Sequence, residues 1–330
     1  MRFEKIIGNE SVLKSLEDMV LADRINHALL FEGPAGIGKK YTAKVFSKSI
    51  LCEDKVDKPC GICPQCKQFD SDSNPDFLFV EPIGDVIKKE QIQDLIEFLS
   101  IRPFDSKYKI ALIESFDKAT TEAQNAFLKT LEEGPDYGII ILLSENNKNI
   151  LETVLSRVKS YYFAPIESSK IIEYLVDNYN ITDKEANFYA KYSNGSIGSA
   201  IKMAKDPDFN EKRLKNLEIF HRALIGEKDF VLSEIKSFKD QDNIDLILDM
   251  YLSWLRDLLI YKETKDRFYL YNSDLEKKLV GQSNLDYEFI NYVKEKIIKL
   301  KSILKFNVNK DLALDLFFID ILEECQWIRQ

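Results

Sequence analysis

The chain has 330 residues, of which 45% are apolar, and this is enough to fill the cores of two or three domains. Its formal net charge of −9 and its isoelectric point near 5.1 argue against a dedicated nucleic-acid-binding protein, so any contact with DNA is expected to be local or shared with partners. The first residues lack the apolar core of a signal peptide and no apolar run has membrane-spanning length, so we expect a soluble, cytoplasmic protein.

Strands and helices are predicted to alternate in the first half of the chain. The predicted strands are short apolar runs at 27–31, 77–81, 109–113, 139–143 and 160–163. Helical patterns lie between most of them, and Asn9 is the predicted N-cap of the first helix. Strands that are continuously apolar and separated by helices indicate a parallel sheet covered on both faces. Residues 1–164 are therefore predicted to form an α/β nucleotide-binding domain.

Only helical patterns follow Pro165. Residues 165–207 are predicted to form a small helical lid, with a capping box at Thr182 and Glu185. Residues 208–330 are predicted to form an all-helical third domain. Its apolar stripes are interpreted as core or subunit-packing surface and carry no predicted chemistry.

A glycine-rich stretch joins the first predicted strand to the next helix. Gly33, Gly36, Gly38 and Lys39 belong to a G-x-x-x-x-G-K pattern, whose backbone amides and lysine can bind a polyphosphate. The next residue should be Ser or Thr, but it is Lys40, which has no hydroxyl for Mg²⁺ and places a second cation there. We interpret the stretch as a nucleotide-binding loop that has partly lost its chemistry. A glycine turn that serves only the strand–helix joint remains an alternative.

Four of the five cysteines lie close together in the sequence. Cys52, Cys60, Cys63 and Cys66 surround turn-forming residues, and two overlapping C-x-x-C patterns suit a closed tetrahedral zinc site. A disulfide framework is not expected in a long intracellular chain, and a redox C-x-x-C would leave the other two cysteines unexplained. Because protein would fill all four coordination positions, we predict a structural zinc ion.

The strand at 109–113 should carry the second half of a nucleotide site. Phosphate-loop ATPases usually end this strand with Asp-Glu, which supply a metal contact and a residue that activates water. Here Glu114 keeps a carboxylate, and Ser115 removes the base. Asp117 is interpreted as an acidic residue at the start of the next helix, which Thr121 and Gln124 are predicted to cap.

Several motifs together resemble the AAA+ clamp-loader subunits of bacterial DNA polymerase III. They are the segment IGNE at 7–10, HALLF at 27–31, the four-cysteine insert, AQNAFLKTLEE at 123–133 and LSR at 155–157. The resemblance spans the chain and is densest over residues 6–163. It implies a RecA-like AAA+ domain with a zinc-binding insert, a lid and a helical collar, in a subunit of a DNA-directed DNA polymerase (nucleotidyltransferase) holoenzyme.

Departures from the family pattern point to its delta-prime class instead of the ATP-driven gamma/tau class. Gly198 stands where the motor subunits carry a lid arginine that senses the γ-phosphate. Lys40, Ser115 and Gly198 thus each remove a different part of one ATPase. By resemblance, Arg157 would reach into the ATP of a neighbouring subunit as an arginine finger, oriented by Ser156. From the residues alone, the favoured interpretation is that Arg157 hydrogen-bonds the last carbonyls of the preceding helix, and the resemblance reverses this preference.

The resemblance implies a non-hydrolysing subunit of a hetero-pentamer that loads the sliding clamp on primed DNA. Implied partners are the gamma/tau and delta subunits, the clamp and primer–template DNA, without a membrane. The sequence leaves open whether ATP and Mg²⁺ still bind without hydrolysis. Two rival interpretations are an active gamma/tau-like ATPase with atypical Mg²⁺ ligation, and a zinc-centred nucleic-acid adaptor, against which the acidic composition counts.

Overall fold

The structure, a computed structural model, describes residues 3, 6–239, 244–304, 306 and 308–328. The chain forms two compact units, Met1–Lys202 and Met203–Gln330. The predicted division into three domains, with boundaries near 164 and 207, remains a prediction. Among the described residues, no helix combines the length and the apolarity needed to cross a bilayer.

The first unit contains a five-stranded parallel sheet. Its strands are β1 (Ala28–Glu32), β2 (Phe77–Val80), β3 (Lys109–Ile113), β4 (Gly138–Ser144) and β5 (Lys159–Tyr162). They lie in the order β2-β3-β4-β1-β5, and every neighbouring pair is parallel. The predicted parallel α/β sheet is therefore confirmed, and each predicted strand matches an observed one to within one residue at either end.

Helices cover both faces of this sheet. The helices between residues 10 and 205 are α1 (Glu10–Leu21), α2 (Lys39–Leu51), α3 (Pro64–Asp70), α4 (Lys89–Ser100), α5 (Thr121–Glu133), α6 (Glu152–Leu155), α7 (Ser168–Tyr179), α8 (Asp183–Tyr192) and α9 (Ile197–Lys205), of which those up to α6 pack against the sheet. Leu29 and Phe31 face one hydrophobic core with residues of α1 and α2, while Ala28 and Leu30 face a second core with residues of α4 and α5. Since both faces are covered, the central strands carry apolar residues on both faces, and their polar residues stand at the strand ends.

The described residues of the second unit form helices and the loops that connect them, with no strand. Its helices are α10 (Phe209–Leu224), α11 (Lys228–Lys239), α12 (Ile244–Thr264), α13 (Glu276–Gly281), α14 (Tyr287–Ile303) and α15 (Lys310–Ile328). Its core holds aromatic side chains, and the rings of Phe220 and Tyr251 stack with centroids 4.1 Å apart. Trp254 is fully buried and donates its indole N–H to Gln282 Oε1 at 2.9 Å. Trp254 belongs to an apolar stripe of α12, and this stripe therefore lies in the core.

The parallel arrangement gives the sheet two distinct edges. The loops after β1, β3 and β4 meet at the carboxyl edge, where ligands bind in open α/β sheets. The segments before β1, β4 and β5 meet at the opposite, amino edge. At about 3.3 Å per residue, the five residues of β1 separate the two edges by roughly 16 Å.

Candidate functional site

The glycine-rich loop lies at the carboxyl edge, between β1 and α2. Gly33 has φ 149°, and a Cβ there would lie 2.2 Å from the carbonyl oxygen of Phe163. The residue at this position must therefore be glycine. Gly38 occupies the N-cap position of α2, which begins at Lys39. The sequence pattern thus produces the strand–loop–helix geometry of a phosphate-binding loop.

Lys39 is folded back onto its own loop. Its ammonium donates hydrogen bonds to the carbonyl oxygens of Gly33 at 2.5 Å and Pro34 at 2.7 Å. Burial lowers the pKa of Lys39, and the nearby carboxylates of Glu145, Asp117 and Glu114 oppose this shift. A polyphosphate that uses this lysine must first replace both carbonyl contacts.

Lys40 bridges two carboxylates. Its ammonium lies 2.7 Å from Glu114 Oε2 and 2.9 Å from Glu81 Oε1. Burial disfavours the charged form of Lys40, but the hydrogen bonds to Glu114 and Glu81 outweigh it and raise the pKa of the lysine. The carboxylate at the end of β3 is therefore neutralised by a side chain of this chain.

The lid segment lies directly on the glycine-rich loop. The amide of Gly198 donates to the carbonyl oxygen of Gly36 at 2.8 Å. A Cβ at Gly198 would lie 3.1 Å from that oxygen, and one at Gly36, where φ is 72°, would lie 2.3 Å from Ser196 Oγ. Two backbones thus pack closely where a lid arginine would begin, and a side chain at Gly198 would require them to move apart by a few tenths of an ångström.

A cavity of about 620 Å³ remains between the loop, the strand ends and the lid. This volume lies in the usual range for small-molecule sites. Charged residues at one end are Lys39, Lys40 and Glu114, and the apolar wall includes Ile7 and Ile201. The sequence-predicted residues Gly36, Gly38, Ser115 and Gly198 also line this cavity.

Asp117 has a role that its sequence position did not reveal. Its carboxylate accepts hydrogen bonds from Ser144 Oγ at 3.0 Å and from the amide of Glu145 at 3.4 Å, so it ties the end of β3 to the end of β4. Ser115, two residues earlier, has a left-handed backbone with φ 50°. The interpretation of Asp117 as an acidic helix start misses this contact, which joins residues 27 positions apart.

Arg157 lies at the amino edge of the sheet, between α6 and β5. Its Nε lies 2.6 Å from Glu132 Oε1, and its Nη2 also contacts that oxygen. Its Nη1 donates to Thr153 O at 2.6 Å and to Ser156 Oγ at 3.1 Å. The bond to Thr153 is the helix-end contact that the sequence allowed. Because a full strand length separates the two edges, Arg157 cannot reach the loop of its own chain.

The four clustered cysteines come together in space. Their sulfur atoms all lie within 4.8 Å of one another, and Cys52 Sγ and Cys63 Sγ are 4.0 Å apart. Sulfur atoms around a tetrahedral zinc ion lie about 3.8 Å apart, given a Zn–S bond near 2.3 Å. All four are free thiols, with Cys52 and Cys66 buried. The donor set and spacing therefore fit a closed zinc site.

Local backbone geometry prepares these sulfurs for a cation. Amide hydrogen bonds from Ile62 and Cys63 lower the pKa of Cys60 to about 7. Burial raises the pKa of Cys52 and of Cys66, so a nearby positive charge is needed to ionise them. Cys63 caps α3 and accepts a hydrogen bond from the amide of Cys66, so one side chain belongs both to the start of this helix and to the sulfur cluster.

Comparison with known proteins assigns the chain to a family. The family described as "DNA polymerase III, delta subunit" matches residues 8–167, and its C-terminal counterpart matches residues 207–321. The DNA polymerase III subunit delta' of Bacillus subtilis is 32% identical over 253 residues, which are 75% of this chain and 76% of the relative. The chain belongs to the family of DNA polymerase III clamp-loader subunits.

One further relative and one solved structure are also similar to this chain. The DNA polymerase III subunit tau of B. subtilis is 34% identical over 172 residues, which are 52% of this chain but 30% of the relative. A gamma subunit-related protein of Thermotoga maritima, known from a crystal structure, is 17% identical with a TM-score of 0.42. That alignment covers 94% of this chain and 99% of the other, and at this TM-score it adds nothing to the assignment.

The bridge made by Lys40 in this clamp-loader subunit predicts a measurable pKa change. The hydrogen bond from Lys40 is the largest cause that lowers the pKa of Glu81, so Lys40→Met is expected to raise this pKa toward its ordinary value of 4.5. A carboxyl-carbon NMR titration of Glu81 measures this. Because the folded-state pKa is depressed, the stabilisation is present above 4.5 and is lost as the pH falls through the lower value.

Lys44→Met is the matched control for this titration. Lys44 acts on Glu81 through charge alone and as the smallest contribution, so its removal should move the pKa of Glu81 less. Equal shifts in the two variants would show that Lys40 is not the principal partner of Glu81.

Proposed function

We propose that this chain is a delta-prime-type subunit that does not hydrolyse ATP and donates Arg157 to the ATP site of a neighbouring gamma/tau-type subunit. The observation that carries the first half is the bridge of Lys40 to Glu114 and Glu81. A lysine ammonium at the end of β3 competes with Mg²⁺ for the carboxylate that would hold it. Without that metal the charge on a transferred phosphoryl group has no counterion.

Two other positions support the same conclusion. Ser115 has no carboxylate with which to activate water, and Gly198 brings no charge to the γ-phosphate. The bonds of Lys39 to Gly33 and Pro34 further oppose phosphate binding. We therefore propose that the cavity at the carboxyl edge is a remnant of an ATPase site, in which a nucleotide, if bound, is not turned over.

The position of Arg157 supports the second half of the proposal. Its guanidinium is partly exposed at the amino edge, roughly one strand length from its own loop. An arginine there can act only on a ligand that another subunit presents. A guanidinium that meets a triphosphate in trans stabilises the charge that builds during phosphoryl transfer. Ser156, which accepts a hydrogen bond from Arg157, is proposed to orient it.

The family assignment suggests the setting of this activity. We propose a hetero-pentameric loader with gamma/tau-type and delta-type subunits, which places the sliding clamp on primer–template DNA during replication in the cytoplasm. We further propose that the helical second unit serves as the collar of this assembly. The four cysteines are proposed to hold one structural zinc ion.

The isolated chain provides the test of the non-hydrolysing half. Purified protein with MgATP is expected to show no hydrolysis above that of Lys39→Ala, because Lys39 would be indispensable in an active site of this kind. The same preparation should restore ATP-dependent clamp loading when it is mixed with its partner subunits, which shows that it is folded. Turnover that Lys39→Ala abolishes would favour the alternative, an active ATPase with atypical Mg²⁺ ligation.

A further inference from the structure

Glu132 holds the guanidinium of Arg157 in a position that faces its own chain. Nε and Nη2 both contact Glu132 Oε1, while Nη1 contacts Thr153 and Ser156. A guanidinium has five N–H groups in a fixed planar fork. Four hydrogen bonds within the chain therefore occupy most of the fork that would have to face a phosphate.

We propose that Glu132 is a positioning residue that keeps Arg157 parked until the triphosphate of a neighbouring subunit displaces its carboxylate. This inference rests on the proposed trans action of Arg157. Both groups are anionic acceptors, but a terminal phosphate carries more charge and more acceptor atoms than a carboxylate. Arg157 is therefore expected to exchange Glu132 for a nucleoside triphosphate and not for a neutral surface.

The ion pair is placed where such an exchange costs little. The side chains of Arg157 and Glu132 are 30% and 46% exposed, so water can solvate the carboxylate as soon as the arginine leaves. A pair buried in the core would instead leave a charge without a partner. The contact with Glu132 therefore lowers the fraction of Arg157 side chains that contact the neighbour's triphosphate by a small factor, and it does not prevent that contact.

The surrounding surface gives the side chain room to move. Arg157 and Glu132 line a hollow of about 570 Å³ at the amino edge, together with Ser156 and Lys159. Glu132 is the penultimate residue of α5, and Arg157 lies two residues before β5, so regular elements hold the backbone beside both residues. A rotation of the Arg157 side chain therefore suffices to turn it from Glu132 toward an incoming ligand.

Removing the charge of Glu132 should favour the state in which Arg157 contacts the triphosphate of the neighbouring subunit. Glu132→Gln keeps the shape of the side chain but weakens the competing contact to that of an ordinary exposed hydrogen bond. We expect the variant to bind an ATP-loaded gamma/tau-type neighbour about two- to fivefold more tightly, the range that an exposed ion pair supplies. Binding to the same neighbour without nucleotide should not change. Titration calorimetry or surface binding with full-length subunits measures both.

The matched control is Glu133→Gln. Glu133 also lies at the end of α5 and is exposed, and no described hydrogen bond or ion pair joins it to Arg157. This variant loses the same charge, so it should leave both affinities unchanged. Combining Glu132→Gln with Arg157→Ala should abolish the gain, because Glu132 acts only through Arg157.

The outcomes separate parking from the proposed function. If Arg157→Ala weakens ATP-dependent binding while Glu132→Gln has no effect or weakens it, parking is wrong and trans action stands. A gain that persists in the double variant also overturns parking. If Arg157→Ala changes neither ATP-dependent binding nor hydrolysis, the proposed function itself fails. The inference is supported if Glu132→Gln raises the affinity for the neighbouring subunit, if this happens only with ATP, and if it requires Arg157.

Discussion

Replacing Arg157 with alanine is expected to slow ATP hydrolysis at the neighbouring subunit's site by about a thousandfold or more, the lower end of what arginine fingers contribute. The guanidinium neutralises charge that develops in the transition state, and no water molecule supplies a comparable fixed charge. The measurement needs an assembly in which only that neighbour can hydrolyse ATP, with the loop lysine replaced in other competent subunits. Single-turnover kinetics then report the affected site alone.

Two further variants test whether the rate depends on the planar hydrogen-bonding geometry of Arg157 or only on a positive charge. Arg157→Lys keeps a cation but loses the planar fork, so it should recover only part of the rate. Lys129→Ala removes another exposed cation, one on α5 that does not line the hollow, and should leave hydrolysis unchanged. Folding does not confound the result, because Arg157 and Glu132 form a partly exposed pair worth about 1 kcal/mol or less. A rate unchanged by Arg157→Ala would contradict the trans role.

The fold was predictable because its signals are local. The parallel sheet follows from apolar strands such as Lys109–Ile113, whose observed bounds equal the predicted ones. The Thr182 and Glu185 capping box is present as predicted. The glycine-rich loop was equally clear, since few residues other than glycine tolerate the backbone of Gly33. In each case the chemistry of a few adjacent residues decides the conformation.

Predictions failed where a polar side chain had a distant partner. The side chain of Asn9 does not cap α1 but bonds both the amide and the carbonyl of Ala164, 155 residues away. The cap of α5 is Thr120 and not Thr121, while Gln124 is buried and binds the backbone of Asn149 and Leu151. The side chains of Asn9 and Gln124 are both able to form the predicted capping bonds. The tertiary fold instead gives each of them a distant backbone partner.

The same limit applies within the candidate site. Glycine and lysine identities predicted the loop, but not that the Lys39 ammonium would donate hydrogen bonds to the carbonyl oxygens of Gly33 and Pro34. The missing hydroxyl of Lys40 was readable from the sequence, whereas its second partner, Glu81, follows a different strand. Likewise, Glu132 stands 25 residues before Arg157, and nothing in the local pattern of either residue pairs them. The residue types therefore indicated that parts of a nucleotide site are missing. The fold shows which contacts within the chain the remaining charged side chains make instead.

The zinc prediction has the second largest expected effect. We expect about one zinc ion per chain and its loss on Cys66→Ser, since a fully buried sulfur would be replaced by a poor zinc ligand. Structural zinc binding contributes directly to folding free energy. The midpoint of thermal unfolding of the Met1–Lys202 unit should fall by on the order of 5–10 °C. Metal analysis and calorimetry measure the two effects.

The position of trypsin cleavage distinguishes the loss of a local zinc site from a general disruption of the core. Gln65, within the cysteine segment, accepts hydrogen bonds from Asn74 at 2.7 Å and from Ser106 at 3.1 Å, so α3 is also tied to the sheet domain. Loss of zinc should therefore expose mainly residues 53–58 to trypsin, and leave the sheet intact. Cys325→Ser removes another buried thiol in the second unit and should keep the zinc. Zinc retained by Cys66→Ser, or absent from the wild-type chain, would show that these four cysteines do not form a metal centre.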